Sequence, residues 1–227
     1  MELTATVEAV DLYRFFHVAD VETLALRGVS LRVMPGELVA LVGPSGSGKS
    51  TLLACLAGLD EPDGGHVTLC GKRLTRRPEA ERARQRAASI GILLQAGNLF
   101  EALSVADNIC LQMRLAGRSD PDRLASLLDR VGLSDHRHNV AGQLSGGEAA
   151  RAGLAVALAA APALLLADEP TGEVDADTEG RVLELLEREC HGGMSAIVAT
   201  HSPVLAARAA RVIRIADGRL ADDPRSR

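Results

Sequence analysis

Aromatic residues are scarce in this 227-residue sequence, which has no tryptophan, one tyrosine and three phenylalanines. Hydrophobic residues nevertheless make up 47% of the chain, so we expect an interior built from aliphatic side chains. Charged residues account for 24%, a balance that is typical of a folded globular protein and argues against a disordered one. A chain of this length forms one domain, with or without an inserted subdomain.

Cysteine is also rare, and its spacing is informative. The four cysteines lie far apart and form no Cys-x-x-Cys pair; they are Cys55, Cys70, Cys110 and Cys190. This pattern favours reduced, mostly buried thiols of a cytosolic protein. A disulfide or a metal site is the less favoured alternative.

Long hydrophobic runs are missing. The longest uncharged apolar run, 153–167, contains Pro162 and is shorter than the roughly 20 residues that span a bilayer. The beginning of the chain carries Glu2, Glu8 and Asp11 where a signal peptide would have a basic segment followed by an apolar one. We therefore expect neither a membrane span nor a signal peptide.

The chain has no excess of basic charge. Lys and Arg number 25 and Asp and Glu 30, a net charge of −5, so no nucleic-acid partner is expected. One arginine-rich segment is interspersed with acids, which favours a solvated helix face over a nucleic-acid patch; its arginines are Arg73, Arg76, Arg77, Arg82, Arg84 and Arg86. His136 and His138 lack partners at metal-ligand spacing and are expected in a loop.

The order of apolar segments predicts an α/β fold. Before residue 42, short β-branched and Leu-rich runs indicate antiparallel strands that lead into a buried strand at 38–42. Later in the chain helices and strands alternate, which is typical of a parallel sheet. The predicted helices are 51–59, 79–87, 146–160, 176–190 and 203–209, and the predicted strands are 67–70, 90–94, 163–167, 196–200 and 212–215.

The middle of the chain has a different character. Ser104 starts a capping-box-like pattern, and Asp120 followed by proline is a second helix start. After it, apolar residues at i, i+3, i+4 and i+7 form one helix face; they are Leu124, Leu127, Leu128 and Val131. We predict that 98–140 is a helical subdomain inserted into a catalytic core made of 1–97 and 141–227.

A glycine-rich segment follows the strand predicted at 38–42. It matches G-x-x-x-x-G-K-[ST], and a helix follows it, so its backbone N–H groups can point at phosphate oxygens. We expect Lys49 to reach the β- and γ-phosphates and the Ser50 hydroxyl to bind Mg²⁺. The nucleotide-contacting residues predicted here are Gly43, Pro44, Ser45, Gly46, Ser47, Gly48, Lys49, Ser50 and Thr51.

Two acids end the apolar strand predicted at 163–167. Asp168 supplies a hard oxygen ligand of the kind that Mg²⁺ prefers, and Glu169 is placed to orient or deprotonate an attacking water. Taken alone, such a pair is often only a solvated strand end. The phosphate-binding loop in the same chain favours the catalytic interpretation.

A third motif, Leu-Ser-Gly-Gly-Glu, begins a helix. Ser145 is an N-cap with Glu148 three residues later, and the glycines expose backbone N–H groups to an anion. On these residues alone, an ordinary capped helix is an equally good interpretation.

The order of these motifs resembles the ATP-binding cassette (ABC) ATPases over nearly the whole chain. The phosphate loop is followed by Gln95, the Leu-Ser-Gly-Gly-Glu segment, the two acids, Asp175 and His201. The resemblance implies a P-loop NTPase (RecA-like) core, an antiparallel β subdomain and an inserted α-helical subdomain, in a single ABC ATPase domain over 1–227. It also implies ATP and Mg²⁺ as cofactors and a head-to-tail dimer of cassettes with two ATP molecules between them.

The same resemblance implies roles for single residues in hydrolysis. Phe16 would stack on adenine, with Tyr13 as the alternative. Gln95 would contact Mg²⁺ and the attacking water, and His201 would contact the γ-phosphate. The catalytic set is then Glu169, His201, Gln95 and Lys49, and the Mg²⁺ ligands are Ser50, Gln95 and Asp168.

At the dimer seam, the resemblance implies that Ser145, Gly146 and Gly147 contact the γ-phosphate held by the partner cassette, and that Asp175 lies beside them. The sequence departs from the family in several places. Alanines follow Glu148 where polar residues are usual, Val156 replaces an arginine, Ser202 replaces an acid after the histidine, and a phenylalanine replaces the usual tyrosine at the adenine site. We still expect hydrolysis.

The segments 90–108 and 165–172 are similar to one subgroup, which serves lipoprotein release, macrolide or peptide efflux, and activation of cell-wall hydrolases. That similarity implies a separate integral membrane permease, docked near residues 96–108, and a cytoplasmic chain that is peripheral on the inner face of the membrane. A regulator of a cell-wall hydrolase and a non-hydrolysing regulatory cassette stay open as alternatives. The short segment between Gln95 and Ser145 excludes the coiled coil of a DNA-repair ATPase, and one cassette excludes a two-cassette translation factor.

Overall fold

In the computed structural model, residues 4–18, 21–172 and 174–221 are described, and they form an α/β fold with two sheets. The strands are β1 (Val7–Val18), β2 (Val21–Val33), β3 (Leu38–Val42), β4 (Gly64–Leu69), β5 (Lys72–Arg73), β6 (Ile90–Leu93), β7 (Leu164–Asp168), β8 (Ser195–Ala199), β9 (Arg211–Ala216) and β10 (Arg219–Ala221). The helices are α1 (Lys49–Leu56), α2 (Glu79–Ser89), α3 (Val105–Leu115), α4 (Pro121–Arg130), α5 (Gly146–Leu158), α6 (Ala176–His191) and α7 (Pro203–Arg208).

The larger sheet has the strand order β10-β9-β3-β8-β7-β6. All its pairs are parallel except β9 with β10, which confirms the predicted parallel sheet. The strands β3, β7 and β8 are almost wholly buried, because helices or the second sheet cover both of their faces. Their carboxyl ends meet at one edge, where the candidate site lies.

The smaller sheet, β2-β1-β4-β5, is antiparallel, as predicted. The prediction of short strands is wrong for β1 and β2, which contain 12 and 13 residues. The register of β1 shifts between Ala9 and Leu12 and again further along, with Asp11 at a positive φ of 50°. These bulges interrupt the period-2 pattern, so the sequence indicates shorter strands than the backbone forms.

Local helix signals are confirmed. The Ser104 side chain accepts a hydrogen bond from the N–H of Asp107 at 3.1 Å, and Asp120 accepts one from the N–H of Arg123 at 2.9 Å. The four apolar residues predicted on the α4 face are buried. Helix α1 begins earlier than predicted, at Lys49, because its N-cap is a left-handed glycine inside the phosphate loop. The subdomain boundaries at 98 and 140 stay a prediction.

Buried side chains form two aliphatic clusters, one on each face of the larger sheet, which confirms the aliphatic interior. All four cysteines are free thiols; Cys55 and Cys190 are buried. Burial raises the pKa of Cys55 to about 12 and that of Cys190 to about 11, so both stay protonated. Cys70 is exposed, contrary to the prediction of mostly buried thiols, because it lies in the turn between β4 and β5.

Within the described ranges, none of the helices combines the length and the apolar character that crossing a bilayer requires.

Candidate functional site

The phosphate loop joins β3 to α1 in a tightly curled backbone. A Cβ atom on Gly43 would lie 2.1 Å from the carbonyl oxygen of Ile215, and one on Gly48 would lie 2.6 Å from that of Ala25. Both positions therefore require glycine. Around Gly46, at a φ of 76°, the described part of the chain leaves open space within 4 Å of a built Cβ. The loop thus packs tightly on one side and is open on the other.

Lys49 lies across this loop with only 7% of its surface exposed. Its ammonium group donates hydrogen bonds to the carbonyl oxygens of Gly43 at 2.8 Å and Pro44 at 3.1 Å. The nearby Ser47 hydroxyl is buried and has no hydrogen-bond partner among the described residues. Since an ammonium group binds an anionic oxygen more strongly than a neutral carbonyl oxygen, a phosphate is a better partner for Lys49. The loop fits a phosphate chain.

Ser50 and Asp168 meet at the end of β7. The Ser50 hydroxyl donates to an oxygen of Asp168 at 2.6 Å, although the two residues are 118 positions apart in sequence. A hydroxyl and a carboxylate are hard oxygen ligands, and Mg²⁺ binds through few protein ligands plus phosphates. The pair therefore fits a nucleotide-bound Mg²⁺. Over the described residues, no group of three or more His, Cys, Asp or Glu side chains forms a denser metal site.

Glu169 follows in a strained backbone conformation, with a φ of 49°. Its N–H donates to the carbonyl of Ala199, and its Oε2 accepts from the N–H of His201 at 3.3 Å. The Nε2 atom of His201 lies 3.5 Å from Oε1 of Glu169. That Oε1 atom is buried and has no hydrogen-bond partner in the described part of the chain. A carboxylate held in this orientation at the end of β7 can act as a general base toward water.

These side chains line one cleft of about 560 Å³, within the range of small-ligand sites. Many residues predicted from sequence come together there: Phe16, Ser45, Gly46, Gly48, Lys49, Ser50, Thr51, Gln95, Asp168, Glu169 and His201. Sequence reasoning missed one wall, which β2 and the β9–β10 turn supply: Thr23, Leu24, Ala25, Arg27, Asp217 and Gly218. The Asp-Gly pair is a turn signal, but nothing in the sequence assigns that turn to this cleft.

The structure distinguishes the two aromatic candidates. The ring of Phe16 lies at the cleft, and the guanidinium carbon of Arg14 is 4.7 Å from its centroid. Tyr13 instead lies against two glycines: Cβ atoms built on Gly28 and Gly64 would come within 2.9 Å and 3.2 Å of it. The geometry thus favours Phe16 as the residue that faces a ligand.

Ser145 caps α5 in the predicted capping box. Its hydroxyl accepts from the N–H of Glu148 at 3.3 Å, and its own N–H donates to Oε2 of Glu148 at 2.8 Å. This N–H, followed by the Ser145 hydroxyl, lowers the pKa of Glu148. His136 lies in a short 3₁₀ turn with its Nε2 3.3 Å from the same carboxylate. The predicted capping box at Ser145 and Glu148 is confirmed.

The residues predicted for the dimer seam do not line the phosphate cleft. Gly146 instead lines a second cavity of about 590 Å³, and Gln95, Glu169 and His201 line both cavities. Asp175 caps α6: its carboxylate accepts from the N–H of Thr178 at 2.9 Å and from the Thr178 hydroxyl at 3.0 Å. These bonds lower the pKa of Asp175.

Gln95 is exposed in a loop that one unpredicted residue closes. The Asn98 amide oxygen accepts from the N–H of Leu94 at 2.8 Å, and its amide nitrogen donates to the Leu94 carbonyl at 2.7 Å. A Cβ atom on Gly153 of α5 would lie 2.9 Å from the Asn98 Cβ atom. Sequence reasoning missed this contact because the two partners come from different elements.

The arginine-rich segment lies apart from the cleft. Every residue of α2 is half-buried or exposed, which confirms a solvated face. Arg82 pairs with Glu61 and Glu79, and Arg86 pairs with Glu79 and donates to the Gly58 carbonyl. The guanidinium groups of Arg82 and Arg86 are therefore engaged in ion pairs and hydrogen bonds within the chain.

A family model, relatives in sequence and a solved structure all relate this chain to ATP-binding cassettes of ABC transporters. The profile of a family described as "ABC transporter" matches residues 26–172. The lipoprotein-releasing system ATP-binding protein LolD of Anaeromyxobacter dehalogenans is 41% identical over 99% of this chain and 96% of its own. The macrolide export ATP-binding/permease protein MacB of Syntrophobacter fumaroxidans is 38% identical over 93% of this chain, which spans only 30% of that protein. The ATP-binding cassette MJ0796, solved as a dimer with ADP and Pi in a post-hydrolysis state, superposes with a TM-score of 0.90 at 29% identity, covering 95% of this chain and 97% of that one.

Proposed function

Because the chain belongs to the ABC transporter family and is one of its ATP-binding cassettes, an ATPase coupled to transport, we propose that it drives a separate membrane permease. The observation that carries the proposal is the convergence of Lys49, Ser50, Asp168, Glu169 and His201 on one cleft. In this proposal the adenine ring stacks on Phe16 and the phosphates lie in the curled loop.

The proposed ligands of Mg²⁺ are Ser50, Asp168 and Gln95. When bound, the ion neutralises charge on the β- and γ-phosphates. Lys49 leaves the two loop carbonyls and binds the β- and γ-phosphates. Glu169 takes a proton from the attacking water, while its other oxygen is held by the N–H of His201. The position of Glu169 in the wall of the phosphate cleft, beside His201, supports this assignment.

The active form in this proposal is a homodimer. Ser145, Gly146 and Gly147 form the N-terminus of α5, and Asp175 lies at the start of α6. None of these four residues is among those that line the phosphate cleft of their own chain. A helix N-terminus with exposed N–H groups attracts a phosphate. These residues therefore complete the site of the partner copy, closing it over the γ-phosphate. The dimeric form of the similar cassette MJ0796 supports this arrangement.

The proposed permease docks near residues 96–108, and 98–140 moves as a helical subdomain to transmit force. Phe100 is 65% exposed and Leu94 is 49% exposed, on either side of the Gln95 loop. Such side chains are candidates for burial against a partner. The similarity to LolD and to the ATP-binding part of MacB supports lipoprotein release or export, at the cytoplasmic face of the membrane.

The first test concerns hydrolysis and pairing. Glu169→Gln leaves the phosphate loop intact but removes the base, so we expect Mg-ATP binding, a stable dimer on light scattering, and phosphate release reduced by about 10²- to 10⁴-fold. Lys49→Ala serves as the control that fails to pair. Wild-type rates of release from Glu169→Gln would contradict the assignment of the base.

The second test concerns docking. Phe100→Ser should abolish co-purification with an integral membrane permease from detergent extract, while phosphate release by the isolated chain stays unchanged. Leu59→Ser is the matched control, since Leu59 is also a large exposed apolar residue, at 52%, but lies outside 96–108. Equal co-purification of the two variants would contradict docking at this surface.

A further inference from the structure

One carboxylate of α6 is bonded to both turns that carry the proposed catalytic pair. The hydroxyl of Ser202, which directly follows His201, donates to Oε1 of Glu179 at 2.6 Å. The hydroxyl of Thr171, two residues after Glu169, donates to the same oxygen at a longer 3.4 Å. Glu179 thus links the turn after β7 to the turn after β8.

Ser202 is held in one orientation by its other bonds. Its N–H donates to the hydroxyl of Thr200 at 2.9 Å, and its own hydroxyl oxygen accepts from the N–H of Leu205 at 3.2 Å, as the N-cap of α7. A serine hydroxyl has a single proton to donate. That proton points to Glu179, so the carboxylate and the cap are mutually oriented.

We propose that Glu179 is a positioning residue for ATP hydrolysis, one that sets the separation of Glu169 and His201 through Thr171 and Ser202. The inference deepens the proposed function and rests on it. Glu179 touches neither of the two catalytic side chains in the described contacts. It acts by bracing the turns on which they lie, which keeps the backbone N–H of His201 directed at Glu169.

The serine at position 202 and the acid at position 179 form a matched pair. The resemblance to ABC ATPases implies an acid at position 202, where this chain has a serine. Here an acid at that place would put two carboxylates within hydrogen-bond distance, and like charges so close cannot both ionise without a penalty. The acidic group beside the histidine turn comes instead from α6, and the serine supplies the donor that this group needs.

The inference is tested with a set of substitutions whose kcat and KM for ATP are measured by steady-state phosphate release. Ser202→Asp should lower kcat about tenfold with the KM for ATP within about twofold, the size of one lost bond to a charged group. The double variant Ser202→Asp/Glu179→Gln should recover most of that loss, because a glutamine amide can donate to the new carboxylate.

The single variants at position 179 test the same bond from the other side. The kcat of Glu179→Ala should fall as much as that of Ser202→Asp, whereas the kcat of Glu179→Gln, which keeps an acceptor, should stay within about threefold of that of the unaltered chain. Glu184→Gln, an exposed change on the same helix, is the control.

Amide hydrogen exchange on nucleotide-free protein gives an independent readout. In Ser202→Asp, peptides covering 164–172 and 196–203 should exchange faster than in the unaltered chain, and the double variant should restore protection. Unchanged kcat in Ser202→Asp, or a loss that Glu179→Gln does not relieve, would overturn the inference. Release by the unaltered chain no faster than that by Lys49→Ala would instead overturn the proposed function.

Discussion

The amide of Asn98 forms two hydrogen bonds with the backbone of Leu94, one to the N–H at 2.8 Å and one to the carbonyl at 2.7 Å. These bonds close a short loop that contains Gln95, the proposed ligand of Mg²⁺ and water. Gly97 in this loop has a φ of 76°, and the missing side chain of Gly153 leaves room for Asn98 against α5. The loop of Gln95 and the helix that starts at the Ser145 cap are therefore in direct contact.

Loss of this closure should slow hydrolysis. We expect Asn98→Ala to lower kcat by up to about 30-fold, since each of two neutral hydrogen bonds contributes about 1 kcal/mol. Asn98→Asp keeps the acceptor for the Leu94 N–H but loses the donor to the Leu94 carbonyl. Its kcat should therefore lie between that of the unaltered chain and that of Asn98→Ala. Steady-state phosphate release gives the three kcat values. A higher kcat for Asn98→Ala than for Asn98→Asp would contradict the prediction.

The adenine contact can be tested by comparing two aromatic residues. Removing a stacked ring costs about 1–3 kcal/mol, so Phe16→Ala should weaken ATP binding by about 10- to 100-fold. Tyr13→Ala should change it little, because Tyr13 lies against Gly28 and Gly64. Titration with a fluorescent ATP analogue measures both affinities. A larger loss in Tyr13→Ala would reverse the assignment.

Metal dependence tests the Ser50–Asp168 pair. Chelation with EDTA should stop phosphate release, and Asp168→Asn should raise the Mg²⁺ concentration for half-maximal activity by about 10- to 100-fold. Asp177→Asn changes an exposed carboxylate that is paired with Arg181 and is the matched control. If both variants titrate alike with Mg²⁺, Asp168 is not a ligand.

The capping box of α5 should make the stability of the chain depend on pH. The pKa of Glu148 is lowered by the N–H and hydroxyl of Ser145, so the capping bonds favour the ionised form. A carboxylate with a lowered folded pKa contributes stability above its unfolded pKa of about 4.3, and this contribution disappears as the pH falls through the folded value. The melting temperature of Glu148→Gln should therefore be lower than that of the unaltered chain at pH 7, and the gap should narrow in acid. A gap that does not depend on pH would show that the charge of Glu148 is unimportant.

The predicted local features depend on residues close together in sequence. The caps at Ser104, Asp120 and Ser145, the glycine-rich loop and the apolar strands all follow from contacts within about four positions, or from one alternating pattern. The resemblance to ATP-binding cassettes added the order of the motifs and assigned roles to Gln95 and His201. For these reasons the fold class and most residues of the cleft could be predicted.

The sequence by itself determined which groups could bind a phosphate chain. The glycines of the loop, Lys49 and Ser50 are recognisable from residue type and spacing alone, and these fix their chemistry. Only the tertiary structure decided which groups meet: Ser50 with Asp168 across 118 positions, the β2 wall of the cleft, and Glu179 between two turns. The physical reason is that hydrogen bonds between separate elements depend on the register of the sheet and the packing of helices on it. Neither quantity leaves a periodic signal along the chain.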